Sequence, residues 1–241
     1  VFYIGYRNPG LLAKAATTLD HLSNGRFELG LGAGWHQWEA EAYGYEFAAL
    51  GTRLDMLEEA ATLIRSLLDT PRTDFSGAHF SAVNASCLPP PVQRRLPIWI
   101  GGVGEKRTLR LAARLADGWN AAYVGPEEFA RLGGVLDHWC DVEDRDPAAI
   151  RRGINLTFQL ARNAAGVERE RSRMAAEWGT MAERVAAGAL LCTPAEAVDR
   201  IGAYAAAGAT DVNVALRAPW EPEALDAFLE EVVPAVRASG G

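Results

Sequence analysis

The chain has 241 residues, of which 49% are hydrophobic and 23% charged, and its formal net charge is −7. This composition predicts a globular protein with a substantial core, and the acidic balance disfavours nucleic acid as a partner. No apolar stretch approaches the roughly 18 residues that cross a bilayer, and no secretory signal opens the chain, so the sequence predicts a cytoplasmic protein with no membrane partner. The three separated cysteines predict reduced thiols rather than disulfides or a metal site.

Five short apolar runs predict β-strands. Runs of this near-continuous kind are typical of a parallel sheet that is covered on both faces. They are Arg26–Gly32, Pro97–Gly102, Asp117–Ala122, Gly153–Leu160 and Thr210–Leu216.

Helical patterns fill the gaps between these runs. Asn8 and Pro9 provide a cap and a first-turn proline, and Thr52–Leu68 repeats the spacing of a buried helix face. Thr193–Glu196 reads as a capping box, Gly208 is placed to end that helix, and a last helix is expected from about Glu221 to Ala238. Alternating strands and helices predict an α/β fold, either a doubly wound sheet or a barrel.

Two stretches interrupt this alternation. Residues 72–97 contain Phe75–Phe80, which predicts a small hairpin, followed by a proline-rich link. Residues 161–190 are polar, rich in arginine and helical in pattern, so we interpret them as an excursion rather than a core element.

A glycine-rich turn, Gly101-Gly102-Val103-Gly104, lies between a predicted strand and a predicted helix. Such a turn lets the backbone approach a bound group, and the helix N-terminus favours an anion such as phosphate, to which Lys106, Arg107 and Thr108 would add charge and a hydroxyl. The alternative is a tight βα turn without a ligand. The spacing is not GxGxxG, so the dinucleotide-binding fingerprint of Rossmann folds is absent.

A second glycine-rich strand end runs from Gly30 to His36. Glycines there permit close approach of a planar ring, Trp35 is suited to wall a pocket, and His36 is a candidate proton donor. The alternative is a turn with a surface histidine. No motif for a nucleophile is present, and the adjacent Glu58 and Glu59 suit a solvated helix face, so the reaction is expected to come from a cofactor.

Several stretches resemble the bacterial-luciferase-like monooxygenases and the coenzyme F-420-dependent oxidoreductases. The family's fold is a (β/α)8 TIM-type barrel with its site at the carboxyl ends of the strands. The matching stretches are Tyr6–Pro9, Leu19–Trp35, Glu41–Gly44, Gly51–Glu59, Cys87–Gln93, Pro97–Asn120 and Cys192–Ile201.

This resemblance implies that residues 1–241 form a single barrel domain with strands four to eight, because the segment like Tyr6–Pro9 follows strand three in such proteins. The first two to three strands are therefore expected to be missing. Strand four, Phe27–Leu31, would then be an exposed edge, which predicts a homo-oligomer.

The resemblance also implies the site residues. Cofactor-binding positions are expected at Gly34, Trp35, Gly101, Gly102, Val103, Gly104, Trp119 and Asn120, with His36 bordering the ring and substrate and no metal. Because His36 is the histidine at a strand end, it is the candidate catalytic residue; the alternative is a base on the missing strands. In the sugar-phosphate dehydrogenase branch a glutamate stands where this chain has Trp35, and a histidine follows the last strand where this chain has Ala215-Leu216-Arg217, so that reaction is not expected.

The sequence therefore predicts an oxidoreductase that transfers a hydride between coenzyme F-420 and a small-molecule substrate. Two alternatives stay open: an FMN-dependent luciferase-like monooxygenase and a non-catalytic flavin-binding barrel.

Overall fold

The computed structural model describes residues 1–239, and the chain divides into two compact units. The first unit comprises Val1–Trp119 and Val135–Ile150, and the second comprises Asn120–Gly134 and Arg151–Gly241. Strand β6 (Gly118–Ala122) and helix α5 (Pro126–Val142) run from one unit into the other. That the whole chain forms a single barrel domain stays a prediction.

Parallel strands form the centre of the first unit. Strand β2 pairs with β1 on one side and with β5 on the other, and Leu29 and Leu31 of β2 are fully buried. The elements are β1 (Phe2–Tyr3), α1 (Pro9–Ser23), β2 (Leu29–Gly32), α2 (Gln37–Ala42), α3 (Leu50–Asp69), β3 (Thr73–Ser76), β4 (Ser81–Ala85), β5 (Ile98–Gly101) and α4 (Thr108–Leu115). Short 3-10 turns at Ile4–Tyr6 and Pro147–Ala149 complete it.

Strand β1 corrects the expectation that the predicted strand Phe27–Leu31 is an open edge. Phe2 lies in register with Leu31 and Tyr3 with Gly32, so the carboxyl half of β2 is covered by a parallel neighbour. The strand also begins later than predicted, at Leu29 rather than at Arg26.

Helix α1 begins where the sequence predicted. The side chain of Asn8 accepts a hydrogen bond from the Gly10 N–H at 2.8 Å, and Pro9 occupies the first helical position. The helix packs on α3, whose apolar stripe includes Leu57 and Ile64 at zero exposure. This stripe confirms the helix predicted over Thr52–Leu68.

Asp20 joins two of the stretches that carry the family resemblance. Its buried carboxylate accepts hydrogen bonds from the Val92 N–H at 2.7 Å and from the Gln93 side-chain amide at 2.7 Å. The Gln93 amide also donates to the Phe27 carbonyl at 2.7 Å. The proline-rich link is therefore fastened to the end of helix α1, and charge-assisted bonds of this kind are among the stronger ones.

The predicted hairpin is present as the antiparallel pair of β3 and β4. Glu59, which the sequence pattern assigned to a solvated face, instead receives the backbone N–H groups of Ala78, His79 and Phe80 at 2.8, 2.8 and 3.1 Å. Burial alone would raise the pKa of Glu59, but these three donors and the nearby His79 outweigh it and hold the pKa below its ordinary value. The adjacent Glu58 pairs with Arg114.

In the second unit, strand β7 pairs in parallel with both β8 and β9. Two of its helices contribute the aromatic rings of Phe129 and Tyr204, which meet edge to face at zero exposure. The elements are β7 (Arg151–Phe158), α6 (Ala164–Trp178), α7 (Ala182–Ala187), β8 (Ala189–Leu190), α8 (Pro194–Ala206), β9 (Asp211–Ala215), α9 (Pro222–Ala227) and α10 (Val233–Ser239), with a 3-10 turn at Gly179–Met181.

Three sequence predictions for this unit meet different outcomes. The capping box is confirmed, because the Thr193 N–H donates to Glu196 at 2.8 Å, and Gly208 follows the helix end with a φ of +94°. The interpretation of 161–190 as an excursion was wrong at its end, where β8 is a buried strand of the sheet. The last helix is interrupted by a π-helical segment, Phe228–Val232.

Within residues 1–239, no helix combines the length and apolar character that crossing a membrane requires.

Candidate functional site

The glycine-rich turn after β5 has the predicted position between a strand and a helix. Gly102 adopts a φ of +135°, and a Cβ there would lie 3.1 Å from the Thr108 methyl group. The Gly102 carbonyl accepts the indole N–H of the fully buried Trp119 at 2.8 Å. A Cβ at Gly104 would lie 2.9 Å from the Thr108 hydroxyl. Thr108 and Trp119 thus support the turn, and Gly101, Gly102 and Gly104 add no side chains to it.

The residues after this turn differ from the sequence prediction in one respect. Arg107, expected to add positive charge for an anion, directs its guanidinium to Asp55 at 2.6 Å and to the Gly51 carbonyl at 3.2 Å on helix α3. Helix α4 begins at Thr108 without a side-chain cap. The Leu109 N–H already donates to the Gly104 carbonyl at 3.0 Å. The positive end of the helix and the exposed Lys106 remain the features suited to an anion.

Two neighbouring strands place glycines on one face. Gly32 of β2 lies in register with Gly101 of β5, and Gly30 lies two residues earlier on the same face. A Cβ at Gly30, Gly32 or Gly101 would lie 3.0, 3.0 or 3.3 Å from the side chain of Val1, which crosses this face while remaining 71% exposed. At these three positions the strands contribute backbone alone to the face, and the side chain that lies over it is that of Val1.

The turn that contains Gly34 is held by an arginine that the sequence prediction missed. Arg53 of α3 is 8% exposed and donates to the carbonyls of Ala33 and Gly34 at 2.8 and 2.5 Å, while its guanidinium stacks 3.9 Å from the Phe47 ring centroid. A Cβ at Gly34 would lie 2.6 Å from the Tyr3 ring. The sequence signal was an arginine in the buried stripe of an amphipathic helix, where a buried charge requires partners.

Trp35 and His36 follow Gly34, and the structure gives each a defined position. The Trp35 side chain is 61% exposed and meets the His36 ring edge to face at 4.8 Å. His36 Nδ1 accepts the Glu39 N–H at 3.0 Å and caps helix α2. Because Nδ1 acts as an acceptor, the neutral imidazole carries its proton on Nε2.

The structure brings most of the predicted site residues together in the first unit. Gly34 lies two residues after the end of β2, and Gly101–Gly104 begins at the end of the neighbouring strand β5. The Trp119 indole bonds the Gly102 carbonyl of the latter turn. Val103 lies within that turn and is partly exposed. Asn120, 7% exposed, belongs to the second unit and follows Trp119 in β6, so its side chain points to the opposite face of that strand.

A second turn at a strand end, in the second unit, was missed. Tyr123 follows β6 with a φ of +60°, which is uncommon for a residue other than glycine. A Cβ at Gly188 would lie 2.6 Å from the Tyr123 Cα, so only glycine permits this approach. The buried Tyr204 hydroxyl bonds the Val124 carbonyl at 2.7 Å and that of Ala187 at 3.3 Å. These contacts hold the Tyr123 backbone in a rigid position.

The thiols and the potential metal ligands do not take part in a described site. Cys87, Cys140 and Cys192 form no disulfide and are buried, and burial raises the pKa of the Cys192 thiol to about 11. Among the described residues, no group of histidine, cysteine, aspartate or glutamate side chains is arranged to hold a metal ion.

Comparison with known families matches residues 2–211 to the model described as luciferase-like monooxygenase. A phthiodiolone/phenolphthiodiolone dimycocerosates ketoreductase of Mycobacterium tuberculosis is 33% identical over 168 residues, which are 68% of this chain and 43% of that protein. An uncharacterised Mycobacterium bovis protein is 35% identical over 112 residues, 46% of this chain and 39% of its own length. The chain thus spans about two fifths of these curated relatives.

Solved structures with the same fold include an F420-dependent secondary alcohol dehydrogenase in complex with an F420-acetone adduct. It has a TM-score of 0.82 at 21% identity, covering 95% of this chain and 76% of that one. A long-chain alkane monooxygenase has a TM-score of 0.78 at 16% identity, covering 99% and 68%. At these identities the similarity shows the fold, which is the α/β barrel of the luciferase-like kind expected from the sequence.

Proposed function

Because the chain belongs to the luciferase-like monooxygenase family, we propose that it is an oxidoreductase that binds a deazaflavin, coenzyme F-420, and acts on a small organic alcohol or ketone. Support for the substrate class comes from the ketoreductase relative and from the secondary alcohol dehydrogenase of the same fold. Support for a cofactor with a planar ring system comes from the structure of the chain itself.

The observation that carries this proposal is the glycine face of β2 and β5. Gly30, Gly32 and Gly101 contribute backbone alone to this face, and the exposed Val1 side chain that lies over it would have to move aside for a ring. The face leads to the Gly101–Gly104 turn and to the start of helix α4, which has no side-chain cap. A face without side chains of its own suits a planar ring, and the positive end of a helix suits a phosphate. The residues present therefore fit both ends of a phosphorylated flavin or deazaflavin.

We propose the following roles for the residues of this site. When bound, the ring would supply the hydride acceptor or donor. The backbone of Gly102, Val103 and Gly104 would hold the phosphate, and the indole of Trp119 fixes this turn by its bond to Gly102. Trp35 would cover the ring from the exposed side, and Gly34 would lie at its border.

His36 is the proposed group for moving a proton. Its Nδ1 makes the capping bond with Glu39, which leaves Nε2 as the ring nitrogen that can exchange a proton with a substrate. Oxidation of an alcohol releases the hydroxyl proton together with a hydride from carbon, so a base at the alcohol oxygen balances the reaction.

An FMN-dependent monooxygenase is the second candidate, and the similarity to the long-chain alkane monooxygenase favours it. The glycine face and the turn suit FMN as well as F-420, because both have a planar ring and a phosphate. The non-catalytic flavin-binding barrel differs from both in binding the ring without turnover. The homo-oligomer and the cytoplasmic location predicted from the sequence remain predictions.

Titration of the chain with F-420 and with FMN tests these candidates. For the proposed function we expect saturable F-420 binding and loss of oxidised F-420 absorbance when propan-2-ol is added without oxygen. Consumption of oxygen with reduced FMN and an alkane or aldehyde would favour the monooxygenase. Binding without either reaction would favour the binding protein, and the absence of binding to both cofactors would overturn the proposal.

A further inference from the structure

The second unit contains an arginine in an unusual setting at the carboxyl ends of its strands. Arg217 lies two residues after β9, with its guanidinium carbon 5.1 Å from the centroid of the Trp178 ring. The same guanidinium donates to the Tyr123 hydroxyl at 3.4 Å. Tyr123 follows β6, and Trp178 ends the helix that follows β7. Three separate loops thus converge on one guanidinium group.

The charge of Arg217 has no carboxylate partner within residues 1–239. Other arginines of this unit are paired, including Arg151 with Asp211, Arg162 with Glu231 and Arg169 with Glu221. Stacking on an aromatic ring fixes the plane of a guanidinium while leaving its edge N–H groups available. Arg217 is therefore oriented by Trp178 and Tyr123 and keeps donors for an external acceptor.

The support beneath this arginine is rigid. The Tyr123 backbone is closed against Gly188 and held through the Tyr204 hydroxyl. The rings of Tyr123 and Trp178 lie 6.0 Å apart, and both residues pack against the buried cluster of Met174, Val185 and Ala189. A preorganised group of this kind loses little freedom when it binds.

The strand beside this cluster contributes unsatisfied polar groups. Ala189 lies in register with Thr157 of β7, and Gln159 lies two residues further along. Thr157 and Gln159 are 4% and 7% exposed. The Thr157 hydroxyl and the side-chain amide oxygen of Gln159 have no hydrogen-bond partner among the described residues. Buried polar atoms without partners are rare in proteins, and a ligand is one of their explanations.

We propose that Arg217, Tyr123 and Trp178 form a recognition site for an anionic group of the substrate, a carboxylate or a phosphate. The guanidinium edge binds the anion in a bidentate manner, and the two rings contact the carbon atoms next to it. Thr157 and Gln159 make the adjoining face suitable for hydroxyl or amide groups of the same molecule. That the bound anion belongs to a substrate rests on the proposed function, whereas the anion site itself is inferred from these contacts.

Benzoate is a suitable probe because it combines a carboxylate with a ring, and benzamide is its neutral counterpart. We expect the chain without cofactor to bind benzoate at least tenfold more tightly than benzamide in calorimetric titrations. Arg217→Gln should remove this preference, and Arg217→Lys should retain part of it, because lysine keeps the charge but not the planar fork. Arg171→Gln, an exposed arginine on α6, is the matched control and should leave benzoate binding within twofold.

Equal binding of benzoate and benzamide, unchanged benzoate binding in Arg217→Gln, or an equal loss in Arg171→Gln would each overturn the proposal. FMN and F-420 titrations of Arg217→Gln separate the two sources of an anion. A tenfold loss of cofactor affinity would assign the arginine to the cofactor and overturn its assignment to the substrate. A chain that binds neither cofactor but shows Arg217-dependent benzoate binding would overturn the proposed function and leave the anion site standing.

Discussion

Two turns at strand ends are built in opposite ways. The turn after β5 in the first unit uses glycines, so its backbone is bare and its conformation costs little. The turn after β6 in the second unit places a tyrosine at a positive φ and holds it with Gly188 and the Tyr204 hydroxyl. The first turn suits a ligand that contacts backbone, and the second presents a side chain in a fixed direction. The comparison teaches that conformational strain is accepted where a side chain must be aimed.

The largest expected effect comes from adding a side chain to the glycine turn. Gly102→Val introduces a branched side chain at a φ of +135° and 3.1 Å from Thr108. We expect F-420 or FMN affinity to fall about a hundredfold, which is about 2.7 kcal/mol. Gly134→Val, at an exposed helix position with open space, is the control. Equal cofactor affinity in Gly102→Val and the unmodified chain, measured by fluorescence titration, would remove this turn from the site.

The Tyr123 turn is tested through its support. Tyr204→Phe deletes the hydroxyl that bonds Val124 and Ala187 and leaves two buried carbonyl groups with fewer donors. We expect the free energy of unfolding to fall by about 2 kcal/mol in urea denaturation, and benzoate binding to weaken with it. Tyr43→Phe, at a 75% exposed position, should leave both unchanged. Benzoate affinity that survives a destabilised Tyr204→Phe would show that the turn does not need this support.

The sequence predicted the first turn and missed the second because their residues are spaced differently along the chain. Gly101–Gly104 is contiguous, so a local pattern revealed it together with its strand and helix. The parts of the second turn are Tyr123, Gly188, Tyr204 and Arg217, which are spread over 94 residues along the chain. Nothing in their separate neighbourhoods indicates that they meet.

The same distinction explains the other successes and failures. Strands, capping residues and the hairpin depend on neighbouring residues, and the sequence predicted them. Strand β8 has two residues and no pattern of its own, so it was read as part of a helical excursion. Arg53 and Arg107 were not assigned to their partners because those partners lie on other elements.

The first unit also contains a turn that is held by a side chain. Glu59 closes the Ala78–Phe80 turn, and its folded pKa lies below the ordinary value of 4.5. The stabilisation is therefore present above that value and is lost as the pH falls through the folded pKa. Glu59→Gln should cost about 1 to 2 kcal/mol at pH 7 and progressively less below about pH 4. Unfolding measured from pH 7 to pH 3, with Glu177→Gln as an exposed control, checks this; a constant difference across the range would contradict it.

The smallest effect separates two roles of His36. His36→Asn preserves an acceptor for the Glu39 N–H and removes the imidazole, whereas His36→Ala removes both. Losing the cap should cost about 1 kcal/mol of unfolding free energy in the alanine variant only. A slower turnover with an altered pH profile in both variants would support proton transfer. If His36→Asn matches the unmodified chain in rate and pH profile, His36 serves as a cap alone.

The fastening of Gln93 to Asp20 has a consequence for a cleaved chain. Cleavage at the exposed hairpin tip, Gly77–His79, would divide the chain into two pieces. The hydrogen bonds of Asp20 and the pairing of β2 with β5 both join the piece before the tip to the piece after it. A protease that nicks this tip should therefore yield two bands under denaturing conditions and one particle under native conditions. The two pieces, expressed separately, would be natural halves for a split-protein reporter.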